Sequence, residues 1–275
     1  MEQDNRVAEA QVPSAFTVAL ESYNGRDAEV VVPAGVSKIG HRAFTNNRHV
    51  REVTLPEGVL EIADEAFSSC VNLRQVHLPS TLERIGAGAF KGCWRLESVS
   101  VPEGVTELGV KTFARCRTLS AIDLPEGLVE VGQECFQYCT SLVSVGFPST
   151  LERIGLRAFH DCRTLVFHDL PESLDTIDDE AFSACWALED VELPESLAWL
   201  GRRCFKDCKA LFSIVLPDGI EFIEEGTFEG CAALSTVAVP ASLTHVEARA
   251  FAATGLARDD LALPDDCEVA PNAFE

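Results

Sequence analysis

The sequence predicts an α/β repeat solenoid, a stack of about eleven coils with a strand on one side and a short helical turn on the other. Three observations predict it. Phenylalanine recurs every 23 residues, at Phe44, Phe67, Phe90, Phe113, Phe136, Phe159, Phe182, Phe205, Phe228, Phe251 and Phe274. Proline keeps the same step from Pro33 to Pro240, and eight cysteines keep it from Cys70 to Cys231. A 23-residue unit cannot bury its own apolar side, but a stack of such units can.

One unit, Leu73 to Cys93, shows the reasoning for each element. Val76 and Leu78 are two apart, as on one face of a strand. Pro79 ends that strand because it has no N–H for a ladder. Leu82 and Ile85 carry the buried edge through a bend, and Gly86 allows a tight turn. Ala89-Phe90 and Cys93 fit one short helical turn. Coils stacked like strands advance ~4.8 Å each, so the array is a rod or arc of roughly 50 Å.

The positions L-P (Leu78-Pro79), I-G (Ile85-Gly86), A-F (Ala89-Phe90) and C-x-x-L (Cys93 to Leu96) resemble the BspA-like, or Treponema-type, leucine-rich repeats. The resemblance covers about residues 29–275. It implies a curved solenoid with strands on the concave face, used for binding proteins or surfaces, and no catalytic residues.

Two ends flank the array. Residues 16–32 alternate apolar and polar before Asn24-Gly25, a strong hairpin signal, and Val30-Val31-Val32 follows as a strand. This predicts an N-terminal tail and hairpin cap over 1–28, with 1–12 loose, and the solenoid over 29–275. At the far end Thr254 replaces the repeat cysteine, Leu256 comes one place early and Pro264 one place late.

The eleven cysteines admit zinc, disulfides or buried thiols. Zinc sites want close pairs with a second pair or histidines nearby. Here the nearest pairs, Cys135/Cys139 and Cys204/Cys208, have no matching second pair. Neighbouring coils would bring cysteines within disulfide range. Yet Asn47 and Thr254 fill the same column, and cysteine packs well as a small hydrophobe. We therefore read buried free thiols, with Cys267 in the frayed coil as the most reactive.

The formal charge is −22, from 44 acidic and 22 basic residues. It argues against nucleic acid or an anionic membrane as partner. Much of it recurs once per coil after the proline, at Glu57, Glu103, Glu126, Glu172 and Glu195. No apolar run reaches the roughly 18–20 residues of a membrane helix. Met1 to Arg6 has no apolar core behind a basic head, so a cytoplasmic location is expected, with the cell surface as the alternative.

No acid, base and nucleophile cluster emerges. We expect a non-enzymatic protein without metal or cofactor. His168 holds a strand position where other coils have Val76, Val99 or Val145. Two readings of the register stay open there. Either Phe167 is exposed and His168 is in the core, or a bulge turns Phe167 inward and His168 outward.

The strand face should carry any partner site. Phe167, Phe212 and Val166 with Asp169, Glu189, Asp190 and Glu192 form an aromatic anchor with an acidic rim. It suits a protein partner with a basic or apolar segment. Trp199 and Phe222, in one column on adjacent coils, form a secondary patch. The expected function is a protein-interaction or scaffold module. A cell-surface adhesion protein and a structural subunit of a larger assembly are the alternatives.

Overall fold

The computed structural model describes residues 18–275, so the tail expected over 1–12 lies outside the described residues. Two ribbons of short parallel strands run along the stack. The first includes Glu29–Val31, Glu52–Thr54 and Gln75–His77, and later Asp190–Glu192, Ser213–Val215 and Thr236–Ala238. The second includes Val36–Ile39, Glu61–Ile62, Arg84–Ile85 and, further on, Thr176–Ile177 and Trp199–Leu200. Every pairing after the first joins residues 23 apart, as in Val53↔Val76 and Ile62↔Ile85, while Val18–Leu20 meets Val36–Ile39 at a shorter offset.

The side predicted to be helical is not. Among the described residues the one helical segment is a 3-10 turn, Arg258–Asp260, in the last coil. The α/β reading is therefore corrected to a β-solenoid, and the hydrogen bonds give the reason. Along Gly88 to Cys93 the donors alternate. Gly88, Phe90 and Gly92 donate to carbonyls of Val110, Thr112 and Ala114 in the next coil, at 2.8–2.9 Å. Ala89, Lys91 and Cys93 donate to carbonyls three residues back, at 3.0–3.2 Å. A helix would keep all of these bonds inside the segment. Two residues per coil, four apart, take left-handed backbone conformations to achieve the alternation. Examples are Arg42 and Asn46 (φ 57° and 59°) and Arg157 and Asp161 (φ 54° and 62°).

The N-terminal hairpin is also corrected. Val18–Leu20 pairs in parallel with Val36–Ile39, and Glu29–Val31 pairs in parallel with Glu52–Thr54. The two strands do not meet each other. Residues 18–31 instead lie over the first full coil, because Tyr23 stacks on Phe44 with ring centroids 4.9 Å apart. Stacking on an existing column buries more apolar surface than an isolated two-stranded hairpin does.

The core is a set of columns. Phenylalanine rings stack from Phe44 to Phe274 at centroid distances of 4.7–6.0 Å. Leu82, Leu128 and Leu151 and the inward valines and isoleucines fill the remainder. Gly86 is needed for closeness: a Cβ there would sit 2.6 Å from the Asp64 nitrogen.

All eleven cysteines are free and buried. The ladder thiols do more than fill space. Each from Cys70 to Cys231 donates its S–H to a phenylalanine carbonyl 26 residues back, at 3.0–3.3 Å. The column thus selects a small side chain with a donor. Thr254 there donates to the Phe251 carbonyl and Asn47 to the Gly25 carbonyl. Burial pushes the Cys70 and Cys139 thiols up to about 12 from an ordinary 9.0.

Two predictions follow from this core. Phe136→Ala should cost ~3–5 kcal/mol of stability in urea unfolding, since its ring is covered on both sides. The half-buried terminal ring of Phe274 should tolerate the same change better; equal losses would contradict a stacked column. For the thiols, a folded pKa above the unfolded one adds stability below the unfolded value and loses it as pH rises toward the folded value. The urea midpoint should therefore hold to about pH 9 and fall between there and about pH 12. A midpoint flat across that window would show that the thiols are not buried as described.

Candidate interaction surface

The first ribbon presents alternate side chains outward, and at its edge a third column precedes them. That edge column contains Val143, Val166, Glu189 and Phe212 on successive coils, bonded through Val166 N–H to the Val143 carbonyl and Phe212 N–H to the Glu189 carbonyl. Val143, Val166 and Phe212 are 46%, 45% and 45% exposed, large values for apolar side chains. Val215, the outward strand residue beside Glu192 in the next coil, is 54% exposed. Asp169, Glu189 and Glu192 stand exposed around them, with Asp190 half-buried. Val143 was not singled out from the sequence. Its signal was its place in the Val166 column, one coil earlier.

Phe167 is not among the exposed residues. Its ring packs 5.0 Å from Phe182 and edge-on to Phe147 at 5.8 Å, so the chain takes the reading in which Phe167 turns inward. His168 faces solvent. The cause is the alternative cost: an imidazole in the core would need partners, whereas a phenyl ring extends the apolar contact. The strand ladder is interrupted there. It resumes where Asp169 bridges Glu192, with Glu192 N–H donating to the His168 carbonyl at 2.9 Å.

Trp199 and Phe222 lie on the second ribbon, and both are exposed. Phe222 stacks on His245 at 4.8 Å, on the side away from Trp199. On the turn side Trp94 carries Arg117 at 5.1 Å over its ring, and Trp186 carries Arg163 at 4.3 Å and Lys209 at 4.6 Å. These cations cover part of the exposed indoles.

The acidic stripe has a structural use. Glu57 accepts hydrogen bonds from the Ser80 N–H and hydroxyl, and Glu126 does the same with Ser149. These bonds hold the Glu57 carboxyl below its ordinary range. On the strand side small residues leave a hollow of about 390 Å³ bordered by Ser98, Ser100 and Ala121. No helix of the described residues is long and apolar enough to cross a membrane.

Comparison with known proteins agrees with this architecture. The family model described as "BspA type Leucine rich repeat region" matches residues 23–143 and 129–257. A leucine rich cell surface protein from Faecalibacterium prausnitzii A2-165 is similar over 96% of this chain and 89% of its own, at 24% identity and a TM-score of 0.53. A leucine-rich repeat protein from Eubacterium ventriosum is similar over 95% and 88%, at 19% identity and a TM-score of 0.55. No curated protein matches the sequence significantly.

The inward turn of Phe167 yields its own test. Phe167→Asp should lower stability by ~2 kcal/mol, because it sets a charge against Phe182. Val166→Asp, one residue earlier and exposed, should leave the urea midpoint nearly unchanged. The opposite order would put Phe167 on the surface.

Proposed function

The chain belongs to the BspA-type leucine-rich repeat family, and from that premise we propose that it is a non-enzymatic scaffold whose strand side binds a protein. The observation that carries this reading is the edge column: Val143 and Val166 exposed on adjacent coils, and Phe212 two coils further on beside Val215. Apolar side chains rimmed by carboxylates suit a partner segment that is basic and apolar. The site is that of the sequence reading with two changes. Val143 and Val215 join it, and Phe167 acts beneath it by supporting the turn at His168. A rigid stack binds without the cost of ordering itself. Residues 29–275 act as one unit in this reading.

The setting has two readings. We put the cell surface, where the Faecalibacterium relative is named, ahead of the cytoplasm expected from the sequence. Trp199 and Phe222 remain a second contact patch in this proposal, and service as a subunit of a larger assembly is its competitor.

Cross-linking and affinity capture of partners by the wild type, set against Val166→Asp/Phe212→Asp, tests the proposal. The double variant should lose the captured partners at unchanged stability, while Trp199→Asp/Phe222→Asp should retain them. If the strand-edge variant keeps every partner, the strand edge is not the binding surface.

A further inference from the structure

The interrupted coil assembles a group of side chains that the repeat does not otherwise make. His168 Nε2 lies 3.4 Å from Glu192 Oε1 and 3.7 Å from Asp169 Oδ1. All three ligand atoms fall within 4.8 Å of one another. On its other nitrogen, His168 Nδ1 lies 3.5 Å from Asp190 Oδ2. Three carboxylates thus face one imidazole on an exposed surface. Even a protonated ring would leave the group two charges negative.

These distances have a chemical meaning. A tetrahedral cation with nitrogen and oxygen bonds of 2.0–2.2 Å holds its ligand atoms about 3.4 Å apart. The Nε2–Glu192 separation equals that edge and the Nε2–Asp169 separation exceeds it by about 0.3 Å before any cation is added. Metal-bound histidines usually give their second ring N–H to a carboxylate, which fixes the ring and its tautomer. Asp190 Oδ2, 3.5 Å from Nδ1, is the carboxylate nearest that position, and a small ring rotation would bring it into hydrogen-bond range. The other exposed histidine–carboxylate contacts lack this arrangement: His77 meets Glu52 alone, and His245 meets Glu268 alone.

We propose that His168, Asp169 and Glu192 bind a divalent first-row transition cation, with Asp190 positioning the imidazole. Imidazole with carboxylates suits zinc and its neighbours, whereas calcium and magnesium take all-oxygen shells of six or more. Three protein ligands leave the fourth tetrahedral position to water or to a donor from a partner. The site depends on the inward turn of Phe167: in the regular register His168 would point into the core, away from both carboxylates. It does not rest on the protein-binding reading, because the cation is read on the isolated chain.

The test is calorimetric titration of the purified full chain with Zn²⁺ near neutral pH, after chelator treatment and with the thiols kept reduced. One saturable site per chain is expected. His168→Ala should weaken it by at least ~10-fold, and Asp190→Asn by ~10-fold or more through loss of ring orientation. Glu192→Gln should also weaken it, and His245→Ala should leave it unchanged. Thermal melts of each variant separate lost binding from lost folding. Co²⁺ titrated in place of Zn²⁺ should show visible bands without thiolate charge transfer. Three results would overturn the proposal. They are no saturable site, undiminished binding by folded His168→Ala, or a thiolate band marking the cysteine ladder as the ligand.

Discussion

The structure depends on one hydrogen-bonding rule: backbone groups that a helix would satisfy internally are satisfied by the neighbouring coil. On the strand ribbons this is ordinary parallel pairing, as at Val53↔Val76. On the turn side it is the alternation seen at Gly88, Phe90 and Gly92, whose N–H groups all reach into the next coil. Because the rule applies on every side, each coil is held in one register to its neighbour. Side chains then fall into columns without further instruction. The phenyl stack, the thiol ladder and the glutamates that hold the next coil's serine all follow from that offset.

A regular stack is a uniform surface, so function should be sought where regularity fails. One such place is the coil at residues 166–169, as the first ribbon also lapses between Ser98 and Ala121 and the second between Leu200 and Phe222. A phenylalanine in an outward position folds under, a histidine in an inward position comes out, and the ladder opens between Ser144–Gly146 and Asp169. The neighbouring coils add exposed Val143, Phe212 and Val215 and a dense set of carboxylates. An apolar edge and a candidate cation site thus share one region. Elsewhere many of the basic side chains are paired across one coil, as where Arg157 meets Glu180 at 2.7 Å, while the excess of carboxylates keeps the chain at −22.

Much of this was legible in the sequence. The 23-residue period gave the stack, the columns and the strand at Gln75–His77 directly. The thiols were legible as buried, though not as donors; Asn47 and Thr254 in their column were the clue. The helical turns misled because A-F-x-x-C spacing fits a helical turn and a chain of left-handed turns equally. Residues such as Arg42, Glu65 and Arg203 take positive φ without the glycine that would announce it. Asn24-Gly25 looked like a hairpin because local turn chemistry cannot weigh the gain from stacking Tyr23 on Phe44. At Phe167-His168 the sequence posed the register question, and only packing against Phe147 and Phe182 answered it.

The most direct measurement of the central claim compares two internal deletions by circular dichroism and thermal melting. Removing residues 117–139 takes out one full period and returns every column to register. That chain should keep its β spectrum and a cooperative melt at a modestly lower temperature. Removing residues 117–138 leaves every later column one place out of step, and that chain should lose the cooperative melt. If both deletions melt alike, the fixed coil-to-coil register is not what holds the molecule together.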